Sequence, residues 1–266
     1  MNWDASGDIL PPALAARLAA ARASIRSRQP IDDGLVAGLI GMLPDRKIIT
    51  TFGQFGPHLT QAWARIAMEH GSEHLMAVNR AMVIELALTL PHRIRDLALP
   101  PSVLAGYPAA YARMLNYLED PAAPYDSAID PFVKDLRLFS GISVPAGSRI
   151  VDLNGHVGRR LSLHYWQQQP SLGALRGISL RHGLTPWLCV HIDPRSMAGL
   201  GHLTDFNEAS WDSCYRVIAD VLAWDSRLLG LVGTSWFFDP ALEEFSPYMA
   251  YLYRRPVERG AILIRQ

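Results

Sequence analysis

Residues 186–239 read PWLCVHIDPRSMAGLGHLTDFNEASWDSCYRVIADVLAWDSRLLGLVGTSWFFD, and this stretch decides the fold. Pro186 bars a helix from continuing into Trp187–Val190. The apolar, β-branched and aromatic content of that run, between Pro186 and Pro194, predicts a buried strand. Asp205 with Glu208 three residues on forms a capping-box-like pair that starts a helix. Behind it Trp211, Cys214, Tyr215, Ile218, Val221 and Leu222 recur at helical spacing and make one apolar face. Asp225-Ser226-Arg227 breaks that pattern, and Leu228 to Phe238, with Gly230 and Gly233 inside it, reads as a second strand. The order predicts a βαβ crossover with its strands parallel. Ligands collect at the carboxyl ends of such strands. Those ends carry His191, Asp193 and Arg195 on the first strand and Ser235, Trp236 and Asp239 on the second, which is where a site is expected.

The chain before this unit is mostly helical. Residues 13–28 are an Ala/Arg-rich helix with Leu14, Leu18 and Ile25 along one side, and Ile31 to Met42 is apolar up to the turn at Leu43-Pro44-Asp45. Pro57 opens a long helical run that Gly71 divides, at a cost of about 1 kcal/mol against Ala, and Pro91 is expected to stop it. A further helix is predicted over 109–118. Prolines 121, 124 and 131 then mark a change of character. Leu136 to Ser143 and Ser148 to Leu153 are predicted strands joined by a turn at Pro145-Ala146-Gly147, followed by a helix over 157–168. Beyond the central unit, Ser246-Pro247 predicts a helix start. Pro256 predicts its end, and 261–264 a last strand.

Composition narrows the function. The 266 residues are 49% hydrophobic and 19% charged, with 25 basic and 25 acidic side chains. A balanced charge and a pI near 7.1 argue against a nucleic-acid groove or an anionic membrane surface. Cys189 and Cys214 both lie in apolar runs and read as buried thiols of a reducing compartment. The beginning MNWDASGDILPP has no basic region followed by an apolar one, so a cytoplasmic location is expected. No apolar run is long enough to predict a membrane span.

Three motifs carry possible chemistry. His70-Gly-Ser-Glu73-His74 has the H-x-x-E-H form of zinc peptidases, with Asp152 as the sole downstream carboxylate in the region considered for a third ligand. Its plainer counterpart is an exposed polar turn. His191-x-Asp193 has the form of non-haem iron sites, in which a second histidine completes the set. His202 would supply it, for iron or zinc, whereas the plain alternative has both residues bonding the loop. Ser235-Trp-Phe-Phe-Asp239-Pro reads either as the wall of a small-molecule pocket or as core. Ser235 lacks the G-x-S-x-G setting of a hydrolase nucleophile.

Arg195-Ser-Met-Ala-Gly199-Leu-Gly201, between strand and helix, resembles the pyrophosphate loop of the GCN5-related N-acetyltransferases (GNAT). The order of elements over residues 186–265 resembles the second half of that fold. The resemblance implies acyl-CoA as cosubstrate, Arg195, Gly199 and Gly201 at the pyrophosphate, and Tyr251 or Tyr253 protonating the leaving thiolate. The loop has one residue more than the pattern between Arg195 and Gly199, and Asp205 adds negative charge beside it. The runs FNEASW, SWFFDPAL and SPYMAYL are also similar to bacterial proteins without an assigned activity.

The expectation is therefore an α+β protein, with a helical portion over 1–125 packed on a mixed α/β sheet portion over 126–266, GNAT-like in its second part. The first functional expectation is a small-molecule enzyme, an acyl-CoA-dependent acyltransferase with His191, Asp193, Ser235, Asp239 and Tyr251 as its candidate catalytic groups. The second is a metal-dependent enzyme using His191, Asp193 and His202. The third is a non-catalytic binding or regulatory module that docks through its helices.

Overall fold

The computed structural model describes residues 9–45, 54–147, 149–155, 187–193, 195, 208–233, 238–259 and 261. The expected helices 157–168 and strand residues 262–264 lie outside them, as do Ser235, Gly199, Gly201, His202 and Asp205. The fold is mixed α+β, with helices α1 (Pro12–Arg28), α2 (Asp33–Gly41), α3 (Pro57–His70), α4 (Ser72–Arg95), α5 (Pro101–Leu104), α6 (Tyr107–Leu118) and α7 (Asp130–Ser140) preceding the first strand.

Helix α4 is the hub of the helical part. It buries Leu75, Val78, Met82, Val83, Ile84, Leu86 and Leu90. Gly71, at φ 86°, ends α3 and opens α4, so the long helical run is two helices. Pro91 does not stop α4, which continues to Arg95. A proline at 91 has no N–H for the carbonyl of Ala87. The buried Tyr111 hydroxyl on α6 takes that place, donating to Ala87 O at 2.8 Å. Arg93 donates to Leu86 O at 2.8 Å and to the carbonyls of Phe139 and Ser140 at the end of α7. The carbonyl that Pro91 frees is thus met from α6, and the helix runs through its proline. On the outside, Arg22 and Arg26 of α1 reach Glu85 of α4, and Arg17 reaches Glu119 beyond α6.

The stretch read as a strand from Leu136 is mostly helix. Pro131 stands at the first turn of α7, where a missing N–H is harmless, and Phe132, Val133, Leu136 and Phe139 are buried at helical spacing. Gly141, at φ 81°, ends the helix in a left-handed cap, with Ile142 N bonded to Arg137 O at 3.0 Å. Only then does β1 (Ser143–Ala146) begin, and it includes Pro145 and Ala146, expected in the turn. Gly147, at φ 66°, leads on toward β2 (Arg149–Gly155).

Among the described residues the sheet has four strands, in the order β1, β2, β3 (Trp187–Ile192) and β4 (Leu231–Val232). The first three are antiparallel neighbours. β3 and β4 are parallel, joined through α8 (Glu208–Trp224), as the βαβ reading requires. Their pairing covers Leu188 with Leu231 and Cys189 with Val232. Gly155 is needed where β2 meets β3, since a Cβ there would lie 2.9 Å from Cys189 Cβ. α7 covers one face of the sheet, through Arg137 on Asp152, and α8 the other, through Trp211 on Arg149. One hydrophobic core runs from Ile9 through α4 and the sheet to Leu228, and a smaller cluster joins Trp211, Leu242, Met249 and Leu252.

The C-terminal part departs from its reading. Ser246 makes no side-chain cap, and Pro247–Met249 is a 3-10 turn after α9 (Leu242–Phe245). Pro256 lies inside α10 (Tyr251–Glu258) instead of ending it. Among the described residues no helix is long and apolar enough to cross a membrane.

Candidate functional site

Side chains alternate between the faces of a strand, so Asp152, opposite Ser143 and Cys189 in register, shares its face with His191. Asp152, Ser143 and His191 form a compact polar cluster with Arg137 of α7. Arg137 Nε and Nη2 donate to the two oxygens of Asp152 at 3.1 and 2.8 Å. Ser143 Oγ donates to Asp152 Oδ1, and His191 Nε2 lies 2.9 Å from Asp152 Oδ2. The Asp152 side chain is 2% exposed and that of His191 17%. Burial alone would raise the Asp152 pKa. The His191 hydrogen bond and the Arg137 charge outweigh it and hold the carboxyl below its usual range. An ionised carboxylate only accepts, so Nε2 is the ring nitrogen that donates to it. Cys189, on the same face, has its thiol pushed up to about 12 by burial and by Asp152, which removes it as a nucleophile.

Asp193 and Arg195 belong to a second cluster. Arg195 Nη1 and Nη2 donate to Asp135 of α7 at 2.6 and 2.8 Å. Its Nε and Nη2 donate to Asp193 at 3.0 and 2.8 Å. The Tyr125 hydroxyl donates to Asp135 Oδ2 at 2.8 Å, and Arg113 Nε stands 3.6 Å from Asp193. Of the two acids sharing Arg195, Asp193 is the one held below the carboxylate range. Burial opposes this, but hydrogen bonds from Arg195 and the charges of Arg195 and Arg113 prevail. Asp135 is pushed upward, because its burial and the neighbouring Asp193 charge exceed what Arg195 returns.

The expected convergence of His191, Asp193, Arg195 and Asp239 is therefore divided. His191 joins Asp152, while Asp193 and Arg195 close a buried ion network. Asp239 is exposed and accepts from Ala241 N at 2.9 Å, which closes its own turn. Tyr251 packs with the Trp211 cluster, on the α8 side of the sheet. The Tyr253 hydroxyl donates to Glu243. Sequence reading missed Arg137, Ser143, Asp135 and Tyr125, and weighed Asp152 only as a distant zinc ligand. The available signal was a run of charged side chains, Lys134, Asp135 and Arg137, interleaved with core hydrophobics, and one acid within the apolar strand β2.

For a metal, His191 and Asp193 are poorly disposed: His191 Nε2 faces Asp152, and both oxygens of Asp193 accept from Arg195. Among the described residues no three His, Cys, Asp or Glu side chains meet as a metal-binding group. The zinc-peptidase pattern is split, with His70 ending α3 and His74 in the first turn of α4. No protein-family model matches the chain, and no curated protein and no solved structure is similar to it.

Proposed function

We propose that this protein is a small-molecule enzyme that transfers an acyl group from acyl-CoA, with His191 as its general base and Asp152 as the residue that positions it. The observation that carries the reading is the His191–Asp152 pair, 2.9 Å apart, near the carboxyl end of β3 in a βαβ unit. A carboxylate locked by Arg137 and Ser143 orients the imidazole and stabilises the imidazolium formed when the ring accepts a proton. In that role His191 takes the proton of an attacking amine or hydroxyl as its heteroatom bonds to the thioester carbonyl carbon. The C–S bond then breaks, and the imidazolium returns the proton to the thiolate. Since Arg195 is committed to Asp135 and Asp193, the pyrophosphate falls to backbone N–H groups around Gly199 and Gly201, ahead of α8.

The test is a thermal-shift series with acetyl-CoA and longer acyl thioesters, followed by assay of thiol release with a panel of amines and alcohols. Stabilisation by an acyl-CoA is expected. His191→Ala should keep that shift while lowering the rate of thiol release by about 10²–10⁴-fold. Absence of any shift at about millimolar ligand, the weak end of specific binding, would overturn the reading.

A further inference from the structure

The turn between α3 and α4 holds a pair of imidazoles that the acyl-transfer reading does not use. His70, the last residue of α3, and His74, in the first turn of α4, have ring centroids 5.0 Å apart with their planes inclined at 51°. We propose that His70 and His74 chelate one divalent transition-metal ion, of the zinc, nickel or copper(II) kind, at the surface turn joining α3 to α4.

Three observations support it. The first is separation. A metal about 2.0–2.1 Å from one nitrogen of each ring, with a ligand angle between square and tetrahedral, places the two centroids about 4.5–5.2 Å apart. The rings already stand in that range. The second is availability. The His70 side chain is 54% exposed, and its closest carboxylate, Glu69 Oε2, lies 3.9 Å from Nε2, beyond hydrogen-bonding distance. Neither imidazole is hydrogen-bonded among the described residues. The third is charge. Glu69 and Glu73 flank the pair from both helices and are exposed, so the field at the turn suits a cation.

This is not the peptidase centre that the local sequence suggests. Gly71, at φ 86°, breaks the helix that would align the motif, and no third protein ligand joins the two rings among the described residues. Water fills the remaining coordination positions. The ion would tie the end of α3 to the start of α4 across a backbone joint held by one glycine. Metal that binds only the folded joint stabilises the fold by mass action.

The experiment uses the full chain, treated with chelator and titrated calorimetrically with zinc, nickel and copper(II) salts, in parallel with melting curves. One ion per chain is expected, with the melting temperature rising by about 5–10 °C at roughly a hundredfold excess over Kd. Binding should be lost in His70→Ala, His70→Gln and His74→Ala, and kept in His58→Ala, an exposed histidine of the same helix. Metal-free melting curves of the variants matching the parent separate loss of binding from loss of fold. Absence of saturable binding for all three ions overturns the proposal, as does unchanged binding in the His70→Ala/His74→Ala double variant. Neither outcome bears on acyl transfer, which the CoA series tests separately.

Discussion

A carboxylate on a buried strand stays ionised only while its neighbours compensate its lost hydration, and Asp152 has Arg137, Ser143 and His191 for that purpose. Asp152→Ala removes the acid from an Arg137 that is fully buried. The expected loss is about 3–5 kcal/mol in urea unfolding, the range for breaking a buried pair. The same variant has a pH signature. The folded-state pKa of Asp152 is depressed. Its stabilisation is therefore complete above the unfolded value, near pH 4, and disappears as pH falls through the folded value. Asp193 acts in the same sense, whereas the raised Asp135 contributes stability at low pH that is lost as pH climbs through its folded value. Urea titrations below about pH 4 should show a shallower fall for Asp152→Ala than for the parent. At this level the sequence placed His191 correctly at a strand end, then joined it to Asp193 just beyond that strand. The acid it meets lies diagonally across the neighbouring strand, a relation that depends on register and leaves no trace in local spacing.

Among the elements, α4 shows how a local rule yields to its surroundings. Pro91 removes the partner of Ala87 O, and Tyr111 replaces it. Tyr111→Phe leaves that carbonyl buried without its donor, for a loss of about 1–3 kcal/mol. Pro91→Ala restores an N–H at the position the carbonyl needs, so Tyr111→Phe should cost less in that background. A double-mutant cycle by urea unfolding measures the coupling, and equal costs in both backgrounds would dismiss the compensation. Periodic helices were readable because their apolar stripes persist over several turns: α1, α3 and α6 lie where expected, and α4 begins there but runs past Pro91. The α7 region was not, because Lys134, Asp135 and Arg137 are buried polar residues between hydrophobics and imitate a two-residue alternation. Their polarity reported on the ion networks and not on which side faced solvent. Pro91 was misread because a proline need not end a helix where another donor meets the carbonyl it frees, and Pro256 also lies inside its helix.

Across the whole molecule, Asp135 on α7 and Arg195 beyond β3 join parts of the chain 60 residues apart. The network also takes in Tyr125 and, through Asp193, Arg113 of α6. Asp135→Leu or Arg195→Met alone should destabilise by about 3–5 kcal/mol, each leaving charge buried. The double variant should lose less than the sum, since it removes both ends of the contact. Additive losses in urea would show that the contact contributes nothing as a pair.

The distance along the chain between these two residues also matters during synthesis. Asp135 leaves the ribosome well before Arg195. In the interval the nascent helices carry a carboxylate that must remain hydrated or hold a proton, so their interior cannot close around it. Arg195, made 60 residues after Asp135, supplies the counter-charge that lets the helices around that acid dry out.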